Sequence, residues 1–226
     1  MVRLSPLYQT HLSLNARFGE VSEWKVAQSV SQESAELSAA RDGVALSDLS
    51  DRAKVMVEGA LASELLGLAL GVAEVAINSG VAVGDDTYVY RLRRDRFYVS
   101  APTGQEAAMR SILNAALAEV DGLVTVTDMT NGRAELLLAG PNSATCLSRV
   151  CGLDFYETKF PNHTAKQSSV AKTRQLIMRR DIGDLPAYYI SGGRSFAVYL
   201  WKIILEAGQD LAIRPIGRKT VAELGV

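Results

Sequence analysis

The chain has 226 residues and a mass of 24.4 kDa, with 48% hydrophobic, 22% charged and 7% aromatic residues. That apolar fraction is ample for a packed core and excludes a disordered or fibrous polypeptide, and the length fits one large or two small domains. The 24 Lys and Arg against 25 Asp and Glu leave a net charge of −1, without the basic footprint of a general nucleic-acid binder.

Met1 to Thr10 has no apolar core and no small-residue cleavage site, so no targeting segment is expected there. Ser31-Gln32-Glu33-Ser34 opens a predicted short helix through Leu37 and Ala40, which Gly43 stops. The most apolar stretch, Leu61 to Ile77, is broken by Ser63, Glu64 and Glu74 and cannot span a bilayer without burying charge. These readings together predict a cytoplasmic protein.

A segment near the start recurs in type further on. Ser47-Asp48-Leu49-Ser50, Arg52-Ala53 and Val55-Met56-Val57-Glu58-Gly59 are matched by Thr127-Asp128-Met129-Thr130, Arg133-Ala134 and Leu136-Leu137-Leu138-Ala139-Gly140. After each Gly comes an apolar helix, with Leu61, Leu65 and Leu66 in one copy and Cys146, Leu147 and Val150 in the other. In the first copy, Tyr88 to Leu92, a polar Arg93-Arg94-Asp95 turn and Arg96 to Ser100 read as a β-hairpin. Met109, Ile112, Leu113, Ala116, Leu117 and Val120 then form one stripe of an amphipathic helix, and Thr103 with Glu106 has the capping-box pattern. In the second copy a loop, Phe160 to Ala165, precedes predicted strands over Arg174 to Arg179 and Ala187 to Ser191. A helix follows with Phe196, Tyr199, Leu200, Ile203, Ile204 and Ala207 as its stripe and Gly208 as its C′ glycine.

Each copy thus reads strand, helix, strand, strand, helix, over about residues 44–120 and 124–208. The expected fold is α+β: two ferredoxin-like βαββα units in tandem, pseudo-symmetric, in one compact domain.

Chemistry-bearing motifs are scarce. No phosphate loop, dinucleotide fingerprint or nucleophile elbow can be read, and the two Cys and two His build neither a disulfide scaffold nor, alone, a zinc framework. No metal site is expected. His11 and His163 read as surface or loop residues, and Cys146 and Cys151 as buried small hydrophobes. Arg91, Arg93, Arg94 and Arg96 fit a solvated turn, or a site for a polyanionic tail. Arg214, Arg218 and Lys219 make a second basic cluster. Gly84-Asp85-Asp86 fits a turn or a ligand site, with the second carboxylate pointing inward from the strand entrance.

Several segments, in order, resemble the glycine-cleavage T-protein (aminomethyltransferase) family. They are Ser5-Pro6-Leu7, Gly43 to Ser50, Gly84-Asp85-Asp86, Val89-Tyr90-Arg91-Leu92, Asp95-Arg96-Phe97, Leu138-Ala139-Gly140-Pro141 and Arg214-Pro215-Ile216-Gly217-Arg218. The second half is similar to the gamma subunit of heterotetrameric sarcosine oxidase, through Leu138 to Pro141, Phe160-Pro161, Pro186-Ala187-Tyr188-Tyr189 and Arg194 to Trp201.

The resemblance implies a tetrahydrofolate-binding one-carbon (aminomethyl or methyl) transferase-like protein. Asp86 would be both the catalytic and a cofactor-binding carboxylate, with Tyr188 and Arg218 also binding tetrahydrofolate. The family's acidic pterin-binding position falls at or near Tyr188, so a phenol would stand where the family has a carboxylate, and the family's additional C-terminal domain is expected to be missing. The alternative is a non-catalytic, gamma-type subunit of a sarcosine oxidase or related demethylase, with flavin-containing subunits as partners and Tyr188, Tyr189 or Trp201 as anchors. Some folate-binding relatives act in iron–sulfur cluster maintenance, but no copy of their Cys-containing signature surrounds Cys146 or Cys151. Neither nucleic acid nor membrane is an expected partner.

Overall fold

The computed structural model describes residues 2–84 and 86–226. A small sheet comes first: β1 (Arg3–Leu4), α1 (Tyr8–Ser13), β2 (Arg17–Val21) and β3 (Trp24–Ser29), followed by α2 (Glu33–Asp42) and β4 (Val44–Asp48). The first half continues with β5 (Ala53–Gly59), α3 (Ala62–Leu70), β6 (Ser79–Ala82), β7 (Tyr88–Arg93), β8 (Arg96–Ala101) and α4 (Glu106–Leu117). The second comprises β9 (Val124–Asp128), β10 (Arg133–Ala139), α5 (Ser143–Ser148), β11 (Ala165–Val170), β12 (Thr173–Arg179), β13 (Ala187–Gly193) and α6 (Ala197–Ala207). The chain closes with β14 (Ile213–Pro215) and α7 (Arg218–Leu224).

Two large sheets, ordered β6-β7-β8-β5-β9 and β11-β12-β13-β10-β4-β14, carry the fold. Each has one face under helices. Val55, Val57, Phe97 and Val99 pack with Leu65, Leu66, Met109 and Leu113 of α3 and α4. Leu136, Leu138, Tyr188 and Ile190 pack with Cys146, Leu147, Leu200 and Trp201 of α5 and α6. The opposite faces meet each other, where Tyr90, Leu92 and Tyr98 of one sheet join Leu137, Leu176, Met178 and Tyr189 of the other. Strands buried on both sides explain why β10 is almost continuously apolar rather than alternating.

The leader strands cross over. β4, which opens the first half, pairs antiparallel with β10 of the second, and β9, which opens the second half, pairs antiparallel with β5 of the first. Both then turn in the same way. The Asp48 carboxylate accepts the Ser50 N–H at 3.0 Å, and the Asp128 carboxylate accepts the Thr130 N–H at 2.9 Å. The Ser50 hydroxyl accepts the Glu135 N–H at 3.2 Å, and the Thr130 hydroxyl accepts the Lys54 N–H at 3.1 Å.

Several expectations are corrected. Each half contains an additional strand, β6 or β11, and both lie at sheet edges. The capping box does not form: Thr103 donates to Asp51 at 2.6 Å, and Glu106 receives Arg3. Gly208 has φ −102°, and Ala212 takes the left-handed conformation instead. On the helical stripes, Ile112, Phe196 and Tyr199 are exposed. His11 is no surface residue. It is buried edge-on against Trp201, with Nε2 3.2 Å from the Asp48 carboxylate, because the apolar segment around Leu7 packs α1 into the core.

Candidate functional site at the cleft between the sheets

The approach to β7 runs through Gly84 and Asp86, both left-handed at φ 66° and 53°. Asp tolerates that region better than most residues. Asp85 lies outside the described residues. This bend aims the Asp86 carboxylate at two guanidiniums. One oxygen receives Arg52 Nη1, while Arg52 Nη2 donates to the Asp86 carbonyl at 2.7 Å. The other oxygen lies 3.2 Å from Arg180 Nη1.

Arg52 sits in the turn that brings the chain from β4 into β5 and is almost completely buried. Its Nε donates to Ser100 at 3.2 Å and lies 3.6 Å from the Glu135 carboxylate. The corresponding arginine of the other half, Arg133, donates to Ser191 at 3.1 Å. Behind Arg52, Lys54 donates to the carbonyls of Ser50 and Arg52 at 3.0 and 2.7 Å. Burial pushes its ammonium down to about 8, against the opposing pull of the Glu135 and Asp51 carboxylates. Tyr98 donates to Glu135 at 3.1 Å and shares a 2.9 Å hydrogen bond with Ser191; burial raises its phenol well above the usual range.

Arg180 is stacked between two rings, its guanidinium carbon 3.9 Å from the Tyr189 centroid and 4.2 Å from that of Tyr88. Its other cationic neighbour, Arg179, takes the carboxylate of Asp181 through two bonds of 2.9 and 2.8 Å. Among the described residues, Arg180 Nη2 and the Tyr189 hydroxyl are buried without a partner of good hydrogen-bond geometry, although the two groups lie against each other and the contact favours the charged guanidinium. Such an orphan costs about 1–3 kcal/mol. Asp86, Tyr88, Arg180 and Tyr189 line a cleft of about 310 Å³, closed on one side by Leu224 to Val226.

The three residues singled out in the sequence do not converge. Asp86 is in the cleft. Tyr188 points to the opposite face of β13, packed edge-on against Phe155 with centroids 5.5 Å apart, while its neighbour Tyr189 faces the cleft. Arg218 lies elsewhere, 3.6 Å from the Asp51 carboxylate and 3.5 Å from the Thr103 hydroxyl. Tyr188, Tyr189 and Trp201 are all buried, so none is an exposed anchor for a partner. Cys146 and Cys151 are free and buried, and burial pushes the Cys146 thiol up to about 11. No group of three or more His, Cys, Asp or Glu that could hold a metal gathers among the described residues. No described helix is long and apolar enough to cross a membrane.

Sequence reasoning missed Arg52 and Arg180, and gave Tyr189 only as an anchor for a partner. The available signal was Lys54, a lone cation inside an apolar strand, which marks a polar inner face beside Arg52.

Two helix-backed sheets meeting over a cleft, with an aspartate at a strand entrance, define an α+β domain of doubled architecture. The GCVT N-terminal domain model matches residues 7–225, and the chain belongs to that family. An aminomethyltransferase of Saccharopolyspora erythraea is 26% identical over 228 residues, covering 95% of this chain and 60% of that protein. A sarcosine oxidase subunit alpha of a Corynebacterium species is 27% identical over 248 residues, covering 97% of this chain and 25% of that one. The chain therefore spans 60% of one of these curated relatives and a quarter of the other. Among solved structures, the glycine cleavage system aminomethyltransferase T from Bartonella henselae superposes with TM-score 0.85 at 22% identity, covering 99% of this chain and 62% of that chain. A chain of the heterotetrameric sarcosine oxidase from a Corynebacterium species gives TM-score 0.71 at 22% identity, with 93% and 96% covered. Both share the fold.

Proposed function

We propose that this chain is a non-catalytic, gamma-type component of a heteromeric sarcosine oxidase or related demethylase. The observation that carries the reading is the state of Asp86, whose two carboxylate oxygens are both held by guanidiniums, those of Arg52 and Arg180. A carboxylate that orients a heterocycle or handles a proton must offer a free lone pair in the right place. Freeing this one would strip a buried arginine of a charge partner, which is costly. The sarcosine oxidase chain that superposes shares this fold over 96% of its own length, and it belongs to a heterotetrameric enzyme.

Tetrahydrofolate fits the cleft poorly. The N–H-bearing edge of a pterin needs acceptors, whereas both carboxylates of the wall are engaged, Asp86 by Arg52 and Arg180 and Asp181 by Arg179. A second reading keeps the one-carbon transferase, because Asp86 does line the cleft. In that reading Asp86 would be released from Arg52 and Arg180 when the cofactor enters, and Arg218 would hold a carboxylate further along.

Co-expression with flavin-containing oxidase subunits and size-exclusion chromatography tests the first reading. The expected result is a stoichiometric complex whose isolated chain gives no heat with tetrahydrofolate in calorimetry. A monomer that ignores those subunits and binds tetrahydrofolate reverses the order of the two readings.

A further inference from the structure

We infer that the open edge of β9 pairs with β9 of a second copy of this chain, joining two five-stranded sheets into one. The two large sheets have four edges between them, and the fold occupies three. β6 and the start of β11 hold each other, through Gly80 N–H to the His163 carbonyl at 2.8 Å and Ala165 N–H to the Asn78 carbonyl at 2.9 Å. The far end of β11 is met by Cys151, which bridges to Val170. β14 is three residues long, ends in Pro215 and lies against α2. The outer edge of β9 takes no strand and no backbone hydrogen bond from elsewhere among the described residues.

The backbone phase of that edge is fixed. Met129 N–H donates to the Lys54 carbonyl at 2.8 Å, so the backbone groups of Thr125 and Thr127 also face β5, and those of Val126 and Asp128 face outward. Val124 shares their phase but is buried, which leaves half-buried Val126 and exposed Asp128 as the open pair. Devices that blunt an edge are missing: β9 has no Pro, no Lys and no register shift, and Val124-Thr125-Val126-Thr127 is β-branched throughout. Between β9 and α4 runs a groove of about 360 Å³, lined by Arg110, Ser111 and Asn114, where side chains of an added strand fit. Such an edge calls for an extended backbone, and β9 is its own match. A two-fold axis through Thr127 sets Val126 opposite Asp128 of the other copy, twice, so both open residues exchange their hydrogen bonds. Thr127 then meets its counterpart, and each Asp128 carboxylate stands opposite a valine instead of a like charge. This goes beyond the proposed assembly role, since the isolated chain suffices for the pairing.

Size-exclusion chromatography with light scattering over a concentration series reads the association. The wild-type chain is expected to dimerise reversibly. Val126→Pro removes only outward N–H groups and leaves the β5 ladder whole, so it should keep its circular dichroism and weaken the dimer about tenfold or more. Thr127→Cys, oxidised with copper phenanthroline, should form an intermolecular disulfide, whereas Thr125→Cys, away from the axis, should not. Cys146 and Cys151 are buried and do not compete. A chain monomeric at every concentration overturns the inference, as does wild-type affinity in Val126→Pro or equal cross-linking of both cysteine variants. Should Val126→Pro fail to fold, the two cysteine variants decide. A folded Val126→Pro that still dimerises but loses co-expressed flavin-containing subunits would give the edge to another protein's strand, and that also overturns it.

Discussion

Lys54 carries the least expected charge in the molecule, an ammonium with no exposure inside a strand between Ala53 and Val55. Its folded pKa of about 8 lies below the ordinary 10.5. Below pH 8 the group is protonated in both folded and unfolded chains, and its burial penalty is fully present. Between about 8 and 10.5 the folded chain releases the proton while the unfolded chain still holds it, so stability rises with pH. Urea unfolding followed from pH 7.5 to 9.5 should therefore show an increase that Lys54→Met removes. The Cys146 thiol, raised from 9 to about 11, opposes this trend from about pH 9, and the raised phenols of Tyr90 and Tyr98 do so above 10, so the rise from pH 7.5 to 9 and its loss in Lys54→Met carry the test. Arg52 and Arg180 were illegible in the sequence for a related reason. Arginines beside turns usually face water, and only the closure of one sheet on the other makes these two internal.

At the scale of elements, the hairpin of β7 and β8 and the helices α2, α4 and α6 were legible from periodicity and turn chemistry. The edge strands were not. β6 is four residues long and β11 is mostly polar, so neither has an alternation long enough to stand out. The assignment of Tyr188 illustrates how strictly a strand encodes its faces: adjacent residues point to opposite sides, so a one-residue uncertainty changes a cleft residue into a core residue. Tyr188→Ala should cost about 3–5 kcal/mol in denaturant unfolding, as expected for emptying a buried aromatic site against Phe155 and Phe160. Tyr189→Phe should cost nothing and should gain up to about 1–3 kcal/mol, since the hydroxyl it removes is buried without a well-formed hydrogen bond. A comparable loss at both positions would contradict the alternation.

For the whole molecule, the α+β class was readable from the order of elements, while the meeting of the two inner faces was not. Residues such as Tyr90, Tyr98 and Tyr189 look like ordinary strand aromatics until both sheets are seen to share them. The central charges, Arg52, Lys54 and Glu135, then stand between the halves instead of on a surface. Recognition of the family did not depend on any of this, because short segments in order carried it.

The crossed leader strands have a mechanical consequence. A break in the chain between α4 and β9 would leave one fragment holding β4 without β10, and the other holding β9 without β5. Each piece would keep a strand whose hydrogen-bonding mate resides on the other polypeptide, like two hands that can only clasp together. Fragments 1–121 and 122–226, made separately, should be largely unstructured by circular dichroism and should recover the intact spectrum on mixing. Independent folding of either would mean that the handshake is ornamental.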